Sequence, residues 1–300
     1  MKPTYAIAIL TTATLATALA VVPAQAAGEW TTTAGAQAFY GSYSGSTERD
    51  AITGYGAVVL ANYLERGGFA LGLNRTDIKM NPGTEDIGQN ALFASGKLNF
   101  TPDGMAGSLT GRFDVHVIDN DDASNDTDGV KAYAPQVSYL SHDKRRYFDL
   151  GYARSNYRND LDVNQYTPTV GFALNDGADW VQVRGWFIDP SNADRAQGKS
   201  STSALEAKLT HWFVSNKPLG LDNVRLSALI GERIYAVDQD AGVVINLADI
   251  QRGGVSMGGE WKFGKSVSLL AILSRDNYRN ATLSDDYSLT SGYLWLAFQW

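Results

Sequence analysis

The sequence contains no cysteine, so disulfide-stabilised secreted scaffolds are excluded. Beyond its N-terminal segment, no run approaches the roughly 18 consecutive apolar residues of a transmembrane helix. Apolar residues almost never recur with helical spacing. The net charge of −7 argues against the basic surfaces that bind nucleic acid, and we expect no nucleic-acid partner.

The N-terminal segment has the features of a secretory signal peptide. Lys2 supplies a positive start, Ala6–Val22 is an apolar stretch, and an A-x-A cleavage site ends at Ala26. The apolar stretch lacks the charged flank of a membrane anchor. We therefore expect residues 1–26 to be removed and residues 27–300 to form an exported domain.

The remainder of the chain has the composition and periodicity of β-strands. It is rich in glycine (30) and tyrosine (15), and apolar and polar residues alternate almost throughout. Turn signals divide it into fourteen predicted strands. These cover residues 30–43, 52–64, 69–80, 87–100, 105–118, 130–140, 147–157, 163–174, 179–189, 202–214, 223–236, 251–263, 266–277 and 287–300.

The connections between these strands are sorted by length. Those after even strands are short, and those after odd strands are mostly longer and more polar. An even number of strands with short turns on one rim and long loops on the other is typical of a membrane barrel. We predict an all-β fold, a closed antiparallel transmembrane β-barrel of about 14 strands.

The last ten residues, SGYLWLAFQW, carry the most specific motif. Alternation places Gly292, Leu294, Leu296, Phe298 and Trp300 on one face, and the chain ends on an aromatic residue. This strand resembles the C-terminal strand of the bacterial outer-membrane β-barrel (porin-like) family. The resemblance implies a place in the cell outer membrane, with short periplasmic turns and longer extracellular loops. It also implies that Leu294, Leu296, Phe298 and Trp300 form the signal read by the barrel assembly machinery.

Tryptophan positions agree with this orientation. Five of the seven tryptophans fall near the predicted short-turn end of their strands. They are Trp30, Trp180, Trp212, Trp261 and Trp300. This clustering predicts an aromatic girdle at one membrane interface.

The apolar face of each strand is assigned to lipid, which leaves the other face for the lumen. The predicted lumen-lining side chains are Arg112, Asp114, His116, Gln182, Arg184, Trp186, Glu206, Lys208, Glu260 and Lys262. Such an interior either surrounds water or closes the bore through ion pairs between neighbouring strands. Within the sixth and eighth strands, Pro135 and Pro168 each remove a ladder hydrogen bond and predict bulges.

The pattern Arg-x-Asn-Tyr-Arg-Asn occurs twice, at 154–159 and 275–280. Both copies lie at the long-loop end of an odd strand, in register with the lipid-facing side chains. Guanidinium groups there are placed to bind lipopolysaccharide phosphates. The arginines concerned are Arg154, Arg158, Arg275 and Arg279. A bulge in either strand would instead turn them toward the pore.

The sequence offers little support for catalysis. Asp114 and His116 share one face of the fifth strand, which loosely fits a barrel hydrolase, but no G-x-S-x-G or HExxH motif is present. The acidic loop 119–129 lacks the spacing of a calcium loop. We expect no catalytic residue, cofactor or resident metal, with weak binding of Ca²⁺ or Mg²⁺ by the loop as an alternative.

These features favour a passive channel for a small or linear hydrophilic solute. Trp186, Tyr293 and Trp295 are predicted in the lumen, where rings can stack on sugars, which favours carbohydrate or exopolysaccharide. The expected partners are outer-membrane lipid, lipopolysaccharide, the assembly machinery and the solute. The alternatives are a non-conducting structural or surface-interaction barrel and a barrel hydrolase that uses Asp114 and His116.

Overall fold

In a computed structural model that describes residues 29–64, 66–121 and 126–300, the chain forms a closed antiparallel β-barrel. The predicted signal peptide, residues 1–26, lies outside the described residues. Within the described part of the chain, no helix is long and apolar enough to cross a membrane.

The described residues form sixteen strands, and fourteen of them build the barrel. Two short strands, β12 and β13, pair with each other between β11 and β14. The strands are β1 Trp30–Ser44, β2 Arg49–Tyr63, β3 Gly67–Met80, β4 Ile87–Phe100, β5 Gly107–Asn120, β6 Val130–Ser141, β7 Arg146–Tyr157, β8 Leu161–Leu174, β9 Asp179–Pro190, β10 Thr202–Trp212, β11 Asn223–Arg233, β12 Val237–Asp238, β13 Val243–Val244, β14 Ile250–Phe263, β15 Val267–Asn280 and β16 Asp285–Gln299.

The barrel closes where β1 pairs with β16. Their ladder runs from Thr33↔Gln299 to Ser44↔Ser288, so neither terminal strand leaves an unpaired edge. Every other barrel strand pairs with its neighbours in chain order, apart from the β12–β13 insertion. The predicted closed barrel of fourteen strands is confirmed.

The outward face of the wall is strongly apolar. Leu98, Ile230 and Leu273 expose 71%, 74% and 64% of their surface, and on the last strand Leu294 and Phe298 expose 52% and 41%. Exposed apolar surface on this scale is not found on a water-soluble monomer. It matches the lipid-facing band of a transmembrane barrel.

The two rims differ less in loop length than the sequence predicts. The short-turn rim carries residues 64–66, 101–106, 142–145, 175–178, 213–222 and 264–266. The opposite, long-loop rim carries 45–48, 81–86, 121–129, 158–160, 191–201, 234–249 and 281–284. One long connection therefore lies on the short-turn rim, and three short ones lie on the other.

Two local predictions are wrong. The β6–β7 pairing keeps one register on both sides of Pro135, and the β8–β9 pairing does so on both sides of Pro168, so neither proline forms a bulge. The missing N–H interrupts the ladder without inserting a residue. Trp180 does not join an outward girdle, because its ring lies over Gly171 inside the barrel, 6.4 Å from the ring of Tyr147.

Gly231 sits at the register shift between β11 and β14, with a φ of +105°. A Cβ there would lie 2.5 Å from the carbonyl oxygen of Ser203. We expect Gly231→Ala to destabilise the barrel by about 2 kcal/mol or more, since both the backbone angle and the space favour glycine. Gly111→Ala is the matched control, because no atom lies within 4 Å of its added Cβ. Urea midpoints of the refolded barrel in detergent measure both, and equal midpoints would contradict this account of the bulge.

Candidate functional site

The connection between β11 and β14 turns into the barrel instead of lying above it. These residues, 234–249, are called the plug. Ile234, Tyr235, Ala236 and Val237 are each at most 2% exposed. From the sequence, residues 237–250, between the predicted strands 223–236 and 251–263, are placed among the longer and more polar extracellular loops. That prediction is wrong. The segment carries enough apolar side chains to be buried within the bore.

Apolar plug residues pack against walls on opposite sides of the bore. Tyr235 joins a cluster with Trp186 and Ile188 of β9 and residues of β5–β8, β10 and β11. Leu247 packs against a second cluster, formed by β1, β3, β15 and β16. The long-loop half of the lumen is filled by these contacts.

Wall side chains also hydrogen-bond the plug backbone. Gln165 accepts from the N–H of Val237 at 2.9 Å and donates to its carbonyl at 2.8 Å. Arg112 Nη2 donates to the carbonyl of Gln239 at 2.7 Å, and the Gln239 amide donates to the carbonyl of Ala134 at 2.8 Å. Polar backbone groups of the buried plug are thereby satisfied.

A cluster of charges lies at the tip of the plug. Arg184 of β9 is 3% exposed, and its guanidinium lies 2.9 Å from Asp240, 3.7 Å from Asp238 and 3.9 Å from Asp149. Lys208 is 3.4 Å from Asp240. Burial would raise the pKa of Asp240, but the two cations outweigh it and hold that pKa below its usual value. Asp240 therefore stays ionised near neutral pH.

A second ionic contact holds the far end of the plug. Asp249 pairs with Arg49 of β2, and Tyr287 of β16 donates to Asp249 at 2.5 Å. Asn246 donates to Gln89 of β4 at 3.0 Å. The plug is thus tied to strands all around the wall by non-covalent contacts.

Trp186 is wholly buried behind the plug. Its ring lies between two guanidinium groups, that of Arg233 at 4.7 Å and that of Arg184 at 5.7 Å from the ring centroid. Such contacts stabilise a buried cation. With 0% exposure, Trp186 cannot stack on a solute while the plug is seated, which corrects the expectation from sequence.

Asp114 and His116 are also buried on the inward face of β5. Asp114 accepts hydrogen bonds from Arg112 at 2.8 Å and Ser95 at 2.5 Å, while the His116 ring packs 5.0 Å from that of Phe93. Among the described residues, His116 makes no hydrogen bond to Asp114 or to a serine. The geometry lacks the nucleophile–base contact that hydrolysis requires.

Below the plug, toward the short-turn rim, many inward side chains are at least partly accessible. This region, the lower lumen, has two unlike walls. From β5 to β14 the inward residues are mainly polar. From β15 through β1 to β4 they are largely apolar and form what we call the apolar arc. It consists of Val58, Leu60, Ile272 and Trp295, which are partly accessible, and of Ala70 and Phe93, which are 7% and 8% exposed.

The ten residues predicted to line the lumen all lie on inward faces of their strands, but at different levels. Those covered at the level of the plug are Asp114, His116, Arg184, Trp186 and Glu206. Those that reach the lower lumen or its rim are Arg112, Gln182, Lys208, Glu260 and Lys262. Sequence reasoning missed the plug carboxylates Asp238, Asp240 and Asp249, because nothing in the alternation of strands describes a loop.

Three arginines of the repeated hexapeptide lie on outward strand faces near the long-loop rim, and Arg158 lies in the turn after β7. Arg154 of β7 pairs with Asp162 at 2.8 Å, and Arg158 pairs with Asp128 at 2.5 Å. The two arginines on β15 have no carboxylate oxygen within 4.0 Å among the described residues. The four are Arg154, Arg158, Arg275 and Arg279.

The acidic loop 119–129 is described only in part, because residues 122–125 lie outside the described residues. Its described end is tied down: Asn120 N–H donates to Asp128 at 2.9 Å, and Arg195 lies 3.4 Å from Asp126. Across the described chain, no three His, Asp or Glu side chains are grouped to hold a metal ion.

The charge cluster predicts the behaviour of a double variant, Asp238→Asn with Asp240→Asn. Arg184 would keep only Asp149, so we expect plug amides to exchange with solvent about tenfold faster. Hydrogen exchange of residues 234–249, measured by mass spectrometry in detergent, tests this. Asp176→Asn, at a 98% exposed side chain on the short-turn rim, is the control. Unchanged exchange in the double variant would mean that packing alone holds the plug.

No family model and no curated protein matches the sequence. Similar solved structures include the Pseudomonas putida toluene transporter TodX, which is 9% identical and has a TM-score of 0.51, with 91% of this chain and 90% of that one covered. A TodX mutant described as a monoaromatic hydrocarbon channel is 10% identical, with a TM-score of 0.55 and 91% of both chains covered. The Acinetobacter baumannii outer membrane protein Omp33 is 7% identical, with a TM-score of 0.47 and 91% and 100% coverage. The chain has the fold of bacterial outer-membrane β-barrel channels.

Proposed function

We propose that the protein is an outer-membrane channel for a small solute and that the plug closes it in the conformation described. The apolar outward face supports a membrane position. The accessible side chains of the lower lumen support a path for solute, and similar structures are those of a monoaromatic hydrocarbon channel and a toluene transporter.

The separation of plug and wall carries this proposal. The β11–β14 ladder runs from Asn223↔Glu260 to Ile230↔Gly253 without using any plug residue. The wall therefore stays closed when the plug moves. Because only non-covalent contacts hold the plug, it can shift without a break in the barrel.

We further propose that the solute is hydrophilic. Tyr293 and Trp295 are partly accessible in the lower lumen, and the Trp295 ring lies against Gly35, where an added Cβ would come within 2.1 Å of it. A partly accessible ring is a surface on which a sugar can stack. Carbohydrate remains a candidate on these two rings, without Trp186.

A non-conducting barrel is the second candidate, favoured by the contacts of the plug with opposite walls. In that case the plug would be a permanent core and the loops would serve a partner. The two candidates differ in whether removal of the plug reveals a conducting pore.

Replacement of residues 234–250 by Asn-Gly tests the channel. Arg233 and Gln251 are ladder partners, so a two-residue turn can join them. In planar bilayers we expect a steady current from this barrel and brief or no openings from the wild type. Deletion of 82–84, in the β3–β4 loop, is the control and should behave as the wild type.

The plug-free barrel could give no current although it still shows heat-modifiable gel migration. That result would favour the non-conducting candidate. Equal steady currents from both barrels would instead mean that the plug does not close the pore.

We also propose lipopolysaccharide as a partner of the outward arginines and the assembly machinery as a partner of the stripe that ends at Trp300. The β15 arginines are the stronger phosphate ligands, because no carboxylate of the described residues lies within 4.0 Å to compete for them. We expect Arg275→Ala with Arg279→Ala to lower the amount of lipopolysaccharide that copurifies, several-fold at low salt. Arg66→Ala, on the short-turn rim, is the control. An unchanged ratio of lipopolysaccharide to protein would refute this contact.

A further inference from the structure

Two cations face each other across the β4–β5 ladder in the lower lumen. Lys97 and Arg112 are direct partners in the register, and both are on inward faces. Like charges directly opposite on adjacent strands repel each other. Negative charge nearby would relieve this repulsion.

The protein supplies only part of that negative charge. Asp114 accepts from Arg112 Nε at 2.8 Å and balances one cation. Lys97 is exposed to the lumen, and within the described residues no carboxylate oxygen lies within 4.0 Å of its Nζ. One positive charge is therefore left for a solute.

The ladder row of Lys97 itself holds Gly68 and Asn62, and the apolar wall begins one row above it. Ser95, the neighbouring inward residue of β4, lies in one ladder row with Ala70 and Leu60, which begin the apolar arc. Higher on β4, the Phe93 ring is covered by the plug, since a Cβ on Gly242 would lie 3.4 Å from it. The result is a corner with a cation at one side, apolar walls at another and the plug as its roof.

We propose that this corner binds a small organic carboxylate with an apolar body. The carboxylate accepts hydrogen bonds from Lys97, with Arg112 adding positive potential, because charge-assisted bonds are the strongest of this kind. The apolar body lies mainly against Leu60, because its ladder partner Ala70 is only 7% exposed. This inference rests on the proposed function only in treating the bound molecule as cargo, since binding itself does not require the plug to move.

Fluorine NMR titrations of the full barrel in zwitterionic micelles test the site. The probes are para-fluorobenzoate, the neutral para-fluorobenzyl alcohol and trifluoroacetate, which has the charge without the ring. We expect para-fluorobenzoate to bind at least about tenfold more tightly than either of the others. Lys97→Met should weaken its binding about tenfold, and Lys97→Arg should keep it within about twofold.

Lys265→Met, in the exposed β14–β15 turn, is the matched control and should bind as the wild type. Equal binding by wild type and Lys97→Met, or equal binding of the neutral probe, overturns the carboxylate site. If trifluoroacetate binds as tightly as para-fluorobenzoate, the proposed contact with the apolar wall is overturned. Preferential binding of glucose over para-fluorobenzoate would overturn the solute class. A failed titration beside a conducting plug-free barrel refutes this site alone, whereas a positive titration beside a silent barrel refutes the channel alone.

Discussion

The structure depends on one buried guanidinium. Arg184 lies in mid-barrel and is 3% exposed, so its charge must be balanced by neighbouring carboxylates. The wall offers Asp149 at 3.9 Å, while the plug brings Asp238 and Asp240 closer, to 3.7 and 2.9 Å. Wall and plug are therefore electrostatically incomplete without each other. The sequence left open whether the lumenal charges surround water or close the bore through ion pairs between neighbouring strands. In the structure, an inserted loop closes the long-loop half of the bore, together with such pairs.

Because the plug fills the long-loop half of the lumen, the lower lumen is the part that a solute would contact in the proposed channel. Solute entering from the short-turn rim meets only the side chains of the lower lumen, where a polar wall faces the apolar arc. A lumen with one polar and one apolar wall favours solutes that carry both a polar and an apolar part. Lys97, which lies at the boundary between the two walls, is accessible there, whereas Arg184 is not. In the proposed channel, the boundary would therefore determine selectivity more than the most highly charged cluster.

The strands could be predicted from sequence because each has one face toward lipid and the other toward the lumen. Alternation fixes inside and outside, as at Leu273 and Asp276, and the predicted limits differ from the observed ones by a few residues. Where both faces are apolar, as at Val58-Val59-Leu60, alternation carries no information and the apolar arc was missed. The plug was missed for another reason. Its position depends on ion pairs such as Arg49–Asp249, which join residues far apart in the chain.

The same contacts limit how the pore can open. Full ejection of the plug would bring Ile234, Tyr235 and Val237 into water, at a cost of about 1.5–3 kcal/mol for each large side chain. It would also leave Arg184 with a single carboxylate. A smaller displacement breaks the polar contacts of Gln239 and also separates Asp240 from Arg184, but it keeps the apolar cluster of Tyr235 and Trp186 intact. The tip lies directly above the lower lumen, so its displacement alone would widen the path. The energetics therefore favour a plug hinged on its apolar half, with the charged tip as the moving part.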